Sequence, residues 1–199
     1  MGGIGKLRRD SQAVHDRLLD GAAELVGERG LHFSLPELAR QAGVGTATVY
    51  RHFTDVEQVG ELLFARILGG LVERLEALAA DPGSARERMS RICLTWVEAG
   101  VSWGPAAIRL RRAEGVLQRR RAGDRLIARL LDALTIVLNG LIAEGEIPEQ
   151  GRDYALLLWI TLFDERVFVD LASETNWSAS QIASVLESSV LGALRNRPS

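Results

Sequence analysis

The sequence predicts an all-α protein, with a three-helix unit built around a helix-turn-helix followed by a larger helical body. Three observations predict it. Apolar residues recur at spacings of three and four along most of the 199-residue chain, the period of a helix with one covered face. Helix-start and helix-stop residues punctuate the chain at helical intervals. Residues 34–53 compress two short amphipathic segments around a glycine, too short for anything but a tight helical pair.

In the first segment, Val14, Leu18, Ala22 and Leu25 form a stripe suited to covering a helical hairpin, and Gly30 ends it. Phe33 precedes Ser34, a good N-cap, and Glu37 three residues on completes a capping box. Pro36 lies in the first turn, where its missing N–H costs little. Leu35, Leu38, Ala39 and Ala42 make the apolar face. Gly43 suits a left-handed C-terminal cap, and Val44 plugs the angle between the helices. The next helix starts at Gly45 or Thr46 and buries Val49 and Phe53. Thr46, Ala47, Thr48, Tyr50, Arg51 and His52 then point outward.

That outward set suits a groove about 12 Å wide, which admits a helix whose first turn is small. Ala47 can touch a thymine methyl, and Thr46 a base edge or a phosphate. Thr48, Tyr50, Arg51 and His52 offer donors to phosphate oxygens. An ordinary helical hairpin with a solvated face is the alternative.

The stretch from Ser34 to Phe53 resembles the DNA-binding signature of the tetracycline-repressor (TetR) family of bacterial regulators. Leu38-Ala39, Ala42-Gly43-Val44, Thr48-Val49-Tyr50 and His52-Phe53 carry the resemblance, which covers roughly residues 10 to 65. It implies DNA contacts from Ser34, Leu35, Thr46, Ala47, Thr48, Tyr50, Arg51 and His52, with Tyr50 on phosphate. Two departures stand out. Gly45 occupies a position where a serine cap is usual, and Asp55-Val56-Glu57 replaces a segment that often holds a phosphate-binding lysine. The resemblance further implies a DNA-binding domain over 1–54 and an effector-binding and dimerisation domain over 55–199. A small molecule in the second domain would swing the helix that links the two.

Thr54 and Glu57 read as a capping box opening that helix, which runs to about Ala80 and is stopped by Asp81-Pro82-Gly83. Ser84 caps the next, carrying Met89, Ile92, Cys93, Trp96 and Val97. Trp103-Gly104-Pro105 reads as a break. Later helices are expected over 105–113, 120–144, 150–173 and 178–195. Cys93, Trp96, Trp103, Leu110 and Leu117 are the candidate lining of an effector pocket, with plain core as the alternative. The last two helices are apolar on several faces and must be covered on several faces. Leu158, Trp159, Leu162, Ile182, Val185, Leu186 and Val190 are the candidate dimer interface, completing a four-helix bundle from two protomers.

The formal charge is −2 and the pI about 6.0, so no global basic field advertises nucleic acid. Residues 1–53 carry seven basic and six acidic side chains, so the attraction must be local. Lys6, Arg8 and Arg9 read as a basic arm ahead of the first helix, of a kind that reaches phosphate. Between Arg109 and Arg129 eight arginines face only Glu114 and Asp124, a solvated or ion-paired surface that could also neutralise an anionic effector.

One cysteine, Cys93, fits a reducing cytoplasm. Neither a secretory signal nor a membrane span is expected; the apolar run from Leu156 to Phe163 is stopped by Asp164-Glu165-Arg166. Gly2-Gly3-Ile4-Gly5-Lys6 lacks phosphate-loop spacing. His15, His32 and His52 fall at no metal-ligand spacing. The expectation is therefore a cytoplasmic, non-enzymatic, homodimeric transcriptional regulator, most readily a repressor. It binds a double-stranded, near-palindromic operator and a small-molecule effector, without metal or cofactor. A helical adaptor that does not bind DNA and a transcriptional activator are the alternatives.

Overall fold

The computed structural model describes the backbone of residues 3–110 and 114–196, and the side chains of these except 3–10, 104–106 and 109–110. Among the described residues there are ten helices and no strand. They divide into two compact units, one taking the chain up to Ile67 and the other beginning at Leu68.

The first unit holds α1 (Gly3–Arg29), α2 (Leu35–Gln41), α3 (Thr46–His52) and the first turns of α4 (Val56–Ala80). Its core is built from Leu18, Ala22 and Val26 of α1, Leu38 of α2, Val49 of α3, Phe53, and Val59 and Leu63 of α4, all at most 1 % exposed. α2 packs on both α1 and α3. Polar clasps hold the rims: Arg29 donates to Glu37, Gln41 to Glu24, and Arg66 of α4 to Asp20 of α1. Lys6, Arg8 and Arg9 lie within α1, not ahead of it as an arm, because the helix begins at Gly3.

The second unit contains the rest of α4, α5 (Ala85–Leu110), α6 (Val116–Arg121), α7 (Arg125–Ala143), α8 (Arg152–Leu162), α9 (Glu165–Thr175) and α10 (Ala179–Arg195). α7 supplies its centre, with Ile127, Leu130, Leu131, Leu134, Val137, Leu138 and Leu141 buried. By length and hydropathy α7 could cross a membrane; here it is a core helix packed on α6 and α8, and α10 packs on α8 and α9.

Four expected boundaries move. α5 continues through Pro105. A proline removes one hydrogen bond and crowds the preceding turn, yet Val97 and Ala107 on either side are both buried, and that packing outweighs the local cost. The helix expected over 150–173 breaks at Phe163, where the Asp164 carboxylate accepts from the Arg166 amide and starts α9. The helix expected over 120–144 is also two: the Asp124 carboxylate accepts from the Leu126 and Ile127 amides and opens α7. The cap of α4 sits one residue later than expected, with Asp55 accepting from the Gln58 amide at 2.7 Å and the Gln58 side chain accepting from the Thr54 amide. The arginine-rich stretch is largely ion-paired where its side chains are described: Arg119 with Asp124, Arg120 with Asp132, and Arg129 with Glu76.

Candidate functional site

The turn before α3 is set by backbone chemistry. Gly43 has φ +64°, where a side chain is strained. The Val44 amide donates to the Ala39 carbonyl at 2.9 Å and the Gly43 amide to Arg40 at 3.3 Å, closing α2 with both bonds of a Schellman cap. At the other end of α2, the Ser34 hydroxyl accepts from the Glu37 amide while the Glu37 carboxylate accepts from the Ser34 amide. The Ser34 amide and the Ser34 hydroxyl both donate to the Glu37 carboxylate and hold it below its ordinary value, and Arg29 adds to the effect. α3 starts at Gly45 with no side-chain cap, as that glycine leads one to expect.

The result is a short helix anchored on one side and open on the other. Val49 and Phe53 are buried; Thr46, Ala47, Tyr50 and Arg51 are exposed, and Thr48 and His52 half-buried. Tyr50 is 58 % exposed. Arg51 donates to the Thr48 hydroxyl at 3.1 Å, which steadies the guanidinium along the open face. His52 packs backwards: its ring lies 5.7 Å from that of His15 on α1, and His15 lies 5.6 Å from Phe53. Of the candidate contacts, Ser34 is exposed but engaged in the cap, and the Leu35 side chain is 5 % exposed and belongs to the core. The segment in place of the usual lysine is also engaged, because the Asp55 carboxylate caps α4.

Burial lowers the pKa of His52, and the positive charges of His15 and Arg51 lower it further. The folded chain therefore holds His52 neutral at a pH where the unfolded chain takes up a proton. Its contribution to stability is complete above about pH 6.5 and declines as the pH falls towards the depressed folded value. Urea denaturation at pH 7.5 and pH 5.5 is expected to show this loss, and His52→Gln is expected to flatten it.

The candidate pocket residues do not converge. Cys93 and Trp96 are buried in the α5 face of the second unit's core, Leu117 is half-buried on α6, and Trp103 is 41 % exposed. Leu110 lies outside the described side chains. The neighbour of Trp96 is Phe163, which also contacts Trp159 and Phe168. Burial pushes the Cys93 thiol well up, with Glu187 adding to the rise, so Cys93 is a packed thiol rather than a reactive one. A cleft of about 340 Å³ opens elsewhere, between the end of α7 and the start of α8, floored by Leu138, Ile147 and Ala155.

The candidate interface residues divide. Trp159, Ile182, Leu186 and Val190 are buried within the chain's own core, because α8 and α10 pack on each other. Leu158 and Leu162 are half-buried, and Val185 is 45 % exposed. Tyr154, Leu157 and Thr161 on α8, with Ser184 and Ser188 on α10, join Val185 on the open side.

Residues 18–59, the span from the α1 core to the first turn of α4, match the model of the bacterial regulatory proteins of the tetR family. Over these residues the chain is similar to that family. It is a DNA-binding transcriptional regulator. The chain is 28 % identical over 143 residues to the fatty acid metabolism regulator protein of Bacillus subtilis (strain 168), covering 70 % of this chain and 73 % of that one. Its fold is similar to that of the fatty acid degradation regulator FadR from Bacillus halodurans (TM-score 0.74, 18 % identity, 92 % and 97 % of the two chains). It is also similar to FadR from Bacillus subtilis in complex with stearoyl-CoA (TM-score 0.72, 23 % identity, 92 % and 98 %).

Proposed function

We propose that this regulator is a homodimeric, ligand-responsive repressor of a near-palindromic operator, and that its effector is a long-chain acyl thioester. The observation that carries the DNA reading is the two-sidedness of α3. Val49 is buried on one side while Thr46, Ala47, Tyr50 and Arg51 stand open on the other. Ala47 and Thr46 are small enough to enter the groove, and Tyr50, Arg51 and the half-buried Thr48 offer donors to phosphates.

The open stripe on α8 and α10 supports a dimer. Tyr154, Leu157 and Val185 are large apolar side chains left exposed on adjacent packed helices, and Ser184 and Ser188 between them let a second helix pair approach closely. A two-fold dimer places two recognition helices one DNA turn apart, about 34–36 Å. Val185→Glu puts a charge at the centre of that stripe without touching the core. It is expected to weaken self-association at least about 100-fold. Sedimentation at micromolar concentration is expected to show a single 21.7 kDa chain in place of two, with operator affinity falling in parallel.

The acyl reading rests on the two fatty-acid regulators above and on an apolar second unit whose aromatic cluster lies between α5, α8 and α9. Selection of bound duplexes from random DNA tests the function as a whole. It is expected to return a two-fold symmetric site, released on addition of stearoyl-CoA. Recovery of no enriched sequence would leave a helical protein without a DNA target.

A further inference from the structure

Two indole N–H groups in the second unit are buried without a hydrogen-bond acceptor. Trp96 is 4 % exposed and Trp159 fully buried, and the Nε1 of each is unpaired. An unmet buried donor forfeits the whole hydration of the group, and native cores hold few of them. The group that the Trp159 indole does bear on is the Cys93 thiol, a weak acceptor.

Both indoles flank the same ring. The Phe163 centroid lies 5.6 Å from that of Trp96 and 6.5 Å from that of Trp159. Phe163 is the residue at which α8 ends, so its backbone is not locked in the middle of a helix. Its edge-on neighbour Phe168 fills a notch at Gly100, where a Cβ would come within 2.1 Å of the ring. The ring that neighbours both indoles is thus the one carried by the break in the helical run.

We infer that the Trp96 and Trp159 N–H groups receive the carbonyl oxygen of a neutral thioester or ester whose chain takes the space held by Phe163. This rests on the acyl-effector reading above and names the polar anchor within it. Exchanging an aromatic ring for an alkyl chain trades apolar contact for apolar contact, so the carbonyl decides the preference. Neutrality follows from Glu187. Its carboxylate is 7 % exposed in the same core, accepts from the Ser90 hydroxyl at 2.8 Å and pairs with Arg86 at 2.9 Å. It already uses the nearby cation. A second carboxylate there loses its hydration and meets a like charge.

The test compares palmitoyl-CoA with S-hexadecyl-CoA, which has the same head group and chain length but a thioether in place of the thioester. Titration of the full-length chain is expected to show palmitoyl-CoA binding at least about fivefold tighter, the worth of one to two neutral hydrogen bonds. Trp96→Phe and Trp159→Phe each keep a ring and remove a donor. Together they are expected to close the gap to within about twofold. Methyl palmitate is expected to bind at least about tenfold tighter than palmitate. Equal affinities of the two thiol derivatives for the wild-type chain, a gap that survives the double substitution, or palmitate binding the tighter, overturns the anchor while leaving an acyl effector in place. If neither CoA derivative binds, the acyl reading fails and the anchor fails with it. The wild-type comparison needs no variant to fold.

Discussion

Ala47→Glu is expected to abolish operator binding while leaving the fold intact. Ala47 is exposed in the first turn of α3, so its replacement disturbs no packing within the chain. In the proposed complex the same position lies in the first turn of the helix that enters the groove. A glutamate there is too long for the place of a methyl group, and it brings a negative charge against a duplex that carries one about every 1.7 Å of its axis. Like charges forced together at a desolvated interface cost several kcal/mol, and a dimer meets the penalty twice. The expected loss is at least about 100-fold in affinity, or about 2.7 kcal/mol, read by gel shift, with an unchanged urea midpoint and helical circular dichroism. Tyr50→Phe is the contrasting case, a small and sequence-independent weakening through one phosphate contact.

Phe163→Ala is expected to be the most damaging single truncation for stability, costing about 3–5 kcal/mol. Phe163 is 1 % exposed and touches three other rings, those of Trp96, Trp159 and Phe168. Its removal loses the buried area of a large side chain and the edge-on geometry of the cluster together. It also leaves a cavity that Phe168 cannot collapse into freely, because that ring is seated on Gly100. Urea denaturation gives the loss directly. A midpoint shift corresponding to less than about 1 kcal/mol would mean that the cluster repacks and does not organise the second unit.

The contrast between these two sites shows how much could be read from residue order alone. The helix-turn-helix is encoded by contacts within ten residues. Ser34 and Glu37 cap each other, Gly43 supplies the one positive φ the turn requires, and Val49 and Phe53 fall on the inner side at helical spacing. Each is a local decision, and each is visible in the chain. The second unit is decided at long range. Whether Pro105 ends a helix depends on what Val97 and Ala107 bury, and that Phe168 seats at Gly100 is likewise a contact between residues far apart in the chain. Neither partner can be inferred from the neighbouring sequence.

The same ambiguity governs the apolar faces of α8 and α10. Trp159, Ile182, Leu186 and Val190 must be covered by something, but hydrophobic periodicity does not say whether the cover is the chain itself or a second copy. In the fold it is the chain itself. The open stripe comprises Tyr154, Leu157 and Val185, which periodicity does not separate from the buried residues of the same helices. The pocket candidates divide for the same reason. Cys93 and Trp96 share a helical face and stay together in the core, whereas Trp103, two turns on, emerges at the surface. Trp159 and Phe163, the true neighbours of Trp96, lie more than 60 residues further along and carry no local signal of that contact. The border between the two compact units is equally silent, because it falls inside the continuous α4.

The central claim is that the open side of α3 meets a DNA double helix through phosphate contacts and a small first turn. The most direct measurement is the affinity of the wild-type and Ala47→Glu chains for one selected operator duplex, titrated across a salt series. If each dimer neutralises about 6–8 phosphates, log affinity of the wild-type chain falls against log salt with a slope of about −5 to −7, and the variant binds at no salt concentration above background. A slope near zero, or equal binding by the two chains, would contradict it.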